Sequence, residues 1–310
     1  MGILVLTHPQ PAEPFAQALR EQMPQETLYL DLAAADQRAD DVEVVLLWRL
    51  EPGLLSRFPA LKFVAASAAG VDKILGPNLP ASMPLTRTVD PGQNLQIAQY
   101  VCAMVLRWVR QQALYDAQQK DRIWRRHPIA EPGAVRIGLL GLGASGLAVA
   151  RSLLALGFQV CGWSRTPHGV DGVDTFHGDA GLRDMLPGCH VLVCLLPLTP
   201  ATQGIVNAQL LQALPQGAYL INVARGEHVD EAALKAALEA GHLAGAALDV
   251  QSREPLPPEA PLWGAPNVLI TPHVASLPTA RVVARQLAEN LARARRGETL
   301  LRLVDKSRGY

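Results

Sequence analysis

Short apolar runs alternate along this chain with longer stretches of helical period. In the first third the runs are Ile3–Thr7, Thr27–Asp31, Val42–Trp48 and Leu61–Ala66. Several are almost continuously apolar, the pattern of parallel strands buried on both faces. A helical pattern at Pro14–Met23 follows the first of them, giving the βαβ rhythm of an open parallel sheet. From Leu95 to about Asp121 the pattern changes. Leu95, Ala98, Val101, Cys102, Val105 and Val109 recur at three- and four-residue spacing with no Pro or Gly, which predicts one long amphipathic helix. A polar connector with Pro128, Pro132 and Gly133 follows.

A second series starts at Val135. Strands are expected at Val135–Leu140, Phe158–Trp163, Val191–Leu195, Ala218–Asn222, Gly245–Leu248 and Val268–Ile270. Helices are expected at Leu147–Leu156, Asn207–Leu214, Asp230–Ala240 and Thr279–Arg296. The predicted fold class is α/β, with two Rossmann-like, doubly wound parallel-sheet domains. No tandem repeat or low-complexity tract interrupts the series.

Composition narrows the possibilities. The 310 residues are 49% hydrophobic and 18% charged, enough apolar material for two cores. Twenty-eight basic and 28 acidic residues balance, so nothing draws the whole chain to nucleic acid or an anionic membrane. The longest stretch without Asp, Glu, Lys or Arg, from Met185 to Ala224, is broken by Pro187, Pro197, Pro200 and Pro215, which argues against a membrane helix. No basic leader precedes Gly2–Thr7, so those residues read as a first strand, and a cytoplasmic location is expected. The four cysteines form no Cys-x-x-Cys pair and have no His cluster beside them, which argues against a zinc site or disulfide framework.

The first candidate chemistry is the run Gly141-Leu142-Gly143-Ala144-Ser145-Gly146 between an apolar strand and a helical run. Gly141 can make the tight turn, Gly143 admits a pyrophosphate, and Gly146 lets the helix approach the strand. The helix N-terminus then offers amides and positive dipole to the phosphates. The next strand ends Ser164-Arg165-Thr166, where NAD-binding sites carry an acidic residue. Hydroxyls and a guanidinium suit a 2′-phosphate, so NADP(H) is expected over NAD(H).

Three further segments carry chemistry: Asn222-Val223-Ala224-Arg225-Gly226, Asp249-Val250-Gln251-Ser252-Arg253-Glu254-Pro255-Leu256-Pro257, and Thr271-Pro272-His273-Val274-Ala275-Ser276. With the glycine loop and in this order, they resemble the D-isomer-specific 2-hydroxyacid dehydrogenase family over nearly the whole chain. Ala69-Gly70-Val71-Asp72, Trp163-Ser164-Arg165 and the helix from Tyr100 to Trp108 are most similar to the branch that reduces glyoxylate and hydroxypyruvate.

The resemblance implies an enzyme that transfers hydride to a small 2-keto acid, or from a 2-hydroxy acid in reverse. Arg225 would bind substrate and polarise its carbonyl oxygen, His273 would be the general acid, and Glu254 would orient the imidazole. Backbone amides near Ala69, Gly70 and Val71 would take the substrate carboxylate. Leu196, Pro197, Val223, Ala224 and Ser276 are implied cofactor contacts. Asp249 stays open between the nicotinamide carboxamide and a strand-end cap, and Trp48 between the substrate wall and core packing. The other histidines, His8, His127, His168, His177, His190, His228 and His242, stand in no supporting motif.

The implied domains are 1–95 plus 280–310, flavodoxin-like and substrate-binding, and 96–279, a Rossmann NAD(P) domain, with the active site in the cleft between them. A homodimer is implied as well. The alternatives are a reductase of a bulkier 2-keto acid and a non-enzymatic, dinucleotide-sensing protein of the same fold. Gln99 departs from the Glu common among relatives, and the Gln251–Arg253 segment is less aromatic than theirs.

Overall fold

The computed structural model describes residues 1–167 and 169–307. His168 and the expected last residues of the substrate domain, 308–310, lie outside the described residues. The chain divides into two units, Met1–Gly92 with Leu277–Tyr310, and Gln93–Ser276.

In the first unit, β1 (Gly2–Leu6), β2 (Thr27–Tyr29), β3 (Val42–Leu47), β4 (Phe63–Ala66) and β5 (Leu85–Thr86) form one parallel sheet in the order β2-β1-β3-β4-β5. That is the flavodoxin-like order. Every residue of β3 is buried, as its nearly continuous apolar run requires, and its one charged residue, Glu43, is paired with Arg295. Alternation along the strands sends Leu4, Val45 and Leu47 to one face with Phe58 and Ile74. Ile3, Val5 and Leu46 go to the other face, with Phe15 and Leu19 of α1 (Ala12–Gln22). The same layer holds Leu287 and Leu291 of the C-terminal helix, which is why the chain returns here. Each such buried leucine contributes about 1.5–3 kcal/mol. Arg295, at the end of that helix, reaches Glu26 at 2.6 Å and Glu43 at 2.5 Å and pins it over the sheet. The two-residue β5 went unpredicted because it is too short to show a period.

The second unit opens on α3 (Pro91–Val109), which crosses the boundary, and α4 (Gln112–Lys120). One continuous helix was expected here. The break falls at Gln111, which adopts a left-handed φ of 53° and donates from its side chain to the Pro128 carbonyl at 2.6 Å. No Pro or Gly marks that break, so the sequence carries no local signal of it.

Seven parallel strands follow, one more than expected: β6 (Arg136–Leu140), β7 (Gln159–Ser164), β8 (Asp174–His177), β9 (Val191–Cys194), β10 (Ala218–Asn222), β11 (Leu243–Leu248) and β12 (Val268–Ile270). Their order is β12-β11-β10-β9-β6-β7-β8. The unpredicted β8 is an edge strand with exposed Asp174, Thr175 and His177, so it lacks an apolar run. Strand order reverses between β6 and β9, and in such sheets ligands bind beyond the strand C-termini at the reversal. The remaining helices include α5 (Ala144–Ala155), α6 (Gly178–Met185), α7 (Ala208–Ala213), α8 (Glu231–Glu239) and, in the first unit, α2 (Leu32–Asp36) and α9 (Ala280–Arg295).

Candidate active site

The glycine loop leaves β6 at the reversal. Gly141 has φ 107°, a conformation glycine tolerates, and a β-carbon on it would press the Leu195 carbonyl oxygen at 3.1 Å. A β-carbon on Gly146 would overlap the Gly141 carbonyl oxygen, so only glycine lets α5 start this close to the strand. Gly143 is the N-cap of α5, and a β-carbon there would meet no atom within 4 Å. The first bond within α5 runs from Leu147 N to Gly143 O, so the amides of Ala144, Ser145 and Gly146 precede the helical ladder. Open space beside those amides and a positive helix end fit a pyrophosphate. Helix α5 begins three residues earlier than expected, which puts Ala144 and Ser145 in its first turn. The Ser145 hydroxyl donates to Asn94 Oδ1 at 2.8 Å. Leu142 is buried and turned onto Gly162, so the part it can offer a cofactor is its backbone.

Strand β7 ends at Ser164, whose hydroxyl donates to the Thr166 carbonyl at 2.7 Å and curls the chain outward. Arg165 and Thr166 are exposed there. No carboxylate occurs from Ser164 to Pro167, and His177 lies across from Ser164 in the register with β8. This end of the sheet therefore offers cationic and hydroxyl groups where a 2′-phosphate would need them.

The other chemistry hangs from β10, β11 and β12, three neighbouring strands. After β10, the Asn222 side chain accepts from Ala224 N at 3.1 Å and donates to Arg225 O at 2.8 Å. Those two hydrogen bonds fold the backbone around Arg225, which is half-buried and caps a short 3-10 turn, Gly226–His228. Gly226 is needed for packing. A β-carbon on it would overlap the Gln251 carbonyl carbon and the Ser252 nitrogen, on the loop that carries Glu254.

After β11, Glu254 accepts from Gln251 N at 3.0 Å through Oε1 and faces His273 Nδ1 at 2.9 Å through Oε2. A carboxylate can only accept, so Nδ1 holds a proton on the side that faces Glu254. Both side chains are about a quarter exposed, 24% for His273 and 25% for Glu254, so the pair is shielded yet open to a small reactant.

His273 itself has φ 56°, a left-handed conformation that costs an L-residue about 1–2 kcal/mol. Asp249 holds it there. The buried Asp249 carboxylate accepts from Thr271 Oγ1 at 2.5 Å, Val274 N at 2.9 Å and Ala275 N at 2.8 Å. Its backbone carbonyl accepts His273 N at 2.8 Å. Thr271 Oγ1 in turn lies 2.7 Å from the hydroxyl of Tyr100, whose burial pushes its pKa up to about 12. The observed task of Asp249 is thus to organise the loop bearing His273. Buried Ser276 Oγ, one residue past Ala275, has no hydrogen-bond partner among the described residues and is available to a bound group.

Leu196 is buried, Pro197 exposed, Val223 half-buried and Ala224 buried, all beyond the ends of β9 and β10. In the other unit, Trp48 follows β3 half-buried, with its amide on the Leu6 carbonyl at 3.2 Å. Ala69 is exposed and Gly70 half-buried after β4, whereas the Val71 side chain belongs to the core. Sequence reasoning passed over His228, which the fold buries completely beside Arg225. It also gave no task to Asn222 or Gly226, although both stand in the motif that carries Arg225.

Residues 102–275 match the family model described as D-isomer specific 2-hydroxyacid dehydrogenase, NAD binding domain. The chain is similar to the glyoxylate/hydroxypyruvate reductase A of Yersinia enterocolitica, 41% identical over 274 residues, which cover 86% of this chain and 88% of that one. It is also similar to two solved structures. One is the NADPH-dependent glyoxylate/hydroxypyruvate reductase of Sinorhizobium meliloti with NADP and sulfate (TM-score 0.90, 37% identity, 100% of this chain and 99% of that one). The other is a D-isomer specific 2-hydroxyacid dehydrogenase of Xanthobacter autotrophicus with NADPH (TM-score 0.88, 40% identity, 100% and 99%).

Proposed function

The chain belongs to the D-isomer specific 2-hydroxyacid dehydrogenase family, and from that premise we propose that it is an NADPH-preferring reductase of small 2-keto acids. Glyoxylate would give glycolate, and hydroxypyruvate would give glycerate. The observation that carries the reading is the 2.9 Å contact between His273 Nδ1 and Glu254, which orients the imidazole for proton delivery through its other nitrogen.

The chemistry the dinucleotide would supply when bound is hydride for the carbonyl carbon of the keto acid. The negative charge that then grows on the carbonyl oxygen is met by the Arg225 guanidinium, a permanent cation. His273, held by Glu254, would give the Nε2 proton to that oxygen. The substrate carboxylate is assigned to the backbone amides of Ala69, Gly70 and Val71, with Trp48 as a wall. The dinucleotide is assigned to the amides of Leu142 to Gly146 and to Leu196, Pro197, Val223, Ala224, Asp249 and Ser276. Ser164, Arg165 and Thr166 take its 2′-phosphate. The NADPH-bound relatives and the missing carboxylate after β7 support that choice.

The reading includes a cytoplasmic enzyme that works as a homodimer. Among the described residues no helix is long and apolar enough to cross a membrane. Leu106, Leu114, Ile123, Trp124 and Ile129 are exposed within one segment, Trp124 by 96%, and a second copy of the chain is the assigned cover. A panel of 2-keto acids assayed with NADPH and NADH side by side tests the function. Glyoxylate and hydroxypyruvate with NADPH are expected to give the highest kcat/KM. Turnover restricted to branched or aromatic keto acids would overturn the small-substrate assignment, and dinucleotide binding without any turnover would favour a sensor.

A further inference from the structure

His228 is a completely buried imidazole that no catalytic motif accounts for. Its two ring nitrogens face two different parts of the candidate site. Nε2 lies 3.3 Å from the Pro197 carbonyl oxygen, just beyond β9. Nδ1 lies 3.2 Å from the backbone nitrogen of Arg225 and 3.0 Å from its carbonyl oxygen. The Pro197 and Arg225 carbonyls can both only accept, but the Arg225 N–H can only donate, so the tautomer protonated on Nε2 makes two bonds, to Pro197 O and from Arg225 N, where the other makes one. In the neutral ring Nδ1 is then an acceptor, and the Arg225 N–H donates to it. Burial favours that neutral ring, because charging an imidazole away from water is costly.

We propose, on the reading of the site given above, that His228 is a positioning residue with two separable tasks. Through Nδ1 it sets the backbone from which the Arg225 guanidinium is aimed at the keto acid. Through Nε2 it holds the Leu196–Pro197 segment, which is assigned to the dinucleotide. Neighbouring bonds make the bridge rigid. The His228 carbonyl accepts Val206 N at 2.9 Å, and Pro197 O also accepts Thr202 Oγ1 at 2.7 Å. The imidazole therefore spans two loops that are each anchored elsewhere, and removing either of its bonds leaves one loop without its cross-tie.

Half-isosteres separate the two tasks. His228→Asn keeps an acceptor where Nδ1 stands and loses the donor to Pro197. His228→Gln keeps an amide donor where Nε2 stands and loses the acceptor for Arg225. The wild type is assayed first with glyoxylate and NADPH, and its turnover judges the functional reading independently of His228. NADPH affinity is then measured by the fluorescence of the bound cofactor, which needs no turnover. His228→Asn should weaken NADPH about tenfold with little change in KM for the keto acid. His228→Gln should raise that KM about tenfold with little change in NADPH affinity. Tenfold corresponds to the loss of one hydrogen bond of about 1.4 kcal/mol. Equal losses in both variants, or wild-type values in both, would overturn the proposal. Ring-nitrogen NMR of the wild-type enzyme decides the case if the variants do not fold. It should find Nδ1 bare and Nε2 protonated from neutral to mildly acidic pH, and a ring protonated on Nδ1 would overturn the proposal.

Discussion

Gly226 lies against Gln251 so closely that a single methyl group on it would occupy the same space as the Gln251 carbonyl carbon. The loop bearing Arg225 and the loop bearing Glu254 are packed backbone to backbone at this point. The obstacle is main chain, so neither side can rotate away.

Gly226→Ala should therefore separate the two loops. Overpacking of this kind costs about 1–3 kcal/mol of stability. A displacement of about 1 Å at a reacting group costs about a hundredfold in rate. Steady-state kinetics and thermal melting should show kcat/KM falling by about that factor in a protein that still folds. An alanine variant with wild-type kcat/KM would show that the loops are not coupled through Gly226.

The Glu254–His273 pair makes a second prediction. His273→Ala should lower kcat by at least about a hundredfold, the usual contribution of a general acid. Glu254→Gln should lower it by about tenfold to a hundredfold, since a bond to a charged partner of about 1.5–3 kcal/mol is lost. An unchanged kcat for Glu254→Gln would exclude Glu254 from this role.

At the end of β7 the expectation concerns the cofactor. Arg165→Ala removes an exposed guanidinium assigned to the 2′-phosphate. NADPH should weaken by about tenfold or more, the worth of a charge-assisted bond, while NADH changes little. Titrations with both dinucleotides check this, and equal weakening of the two would refute the assignment.

His228 predicts a dependence of stability on pH. Its pKa is lowered chiefly by burial, with the Arg225 charge acting in the same direction and the Pro197 and Arg225 carbonyls and Glu227 opposing it. Well above pH 6.5 the ring is neutral whether the chain is folded or unfolded. As pH falls through that value, the unfolded chain takes a proton that the folded chain refuses. Stability is lost until the lower folded-state value is reached. Melting temperatures measured from neutral to mildly acidic pH should fall less steeply in His228→Gln than in the wild type. Parallel curves would mean that His228 does not contribute to the acid limb.

The legible features were those that show as periodicity or as motif. Nearly continuous apolar runs marked β3, β9 and β10, because a parallel strand buried on both faces has no solvent-facing polar side to display. The glycines at 141 and 146 were legible because each answers a steric demand that no other residue meets, whereas Gly143 has open space beside it and was legible by its place in the motif. Strand β8 was hidden because an exposed edge strand need not be apolar. The break at Gln111 was hidden because a tertiary bond to Pro128 holds a conformation that glutamine does not prefer locally. His228 was passed over because its importance lies in what its two nitrogens touch, at residues 197 and 225, and neither distance along the chain forms a motif.

The strand order also bears on how this protein's two selectivities can change. Arg165 follows β7 and His273 follows β12, five strands apart in the sheet. At about 4.8 Å per strand that is about 24 Å. The screening length of physiological salt is only about 8 Å, so a charge gained or lost after β7 is barely felt at the imidazole. On the proposed assignments, preference between phosphorylated and unphosphorylated dinucleotide can thus drift at one end of the sheet while the proton delivery assigned to His273 at the other stays as it was.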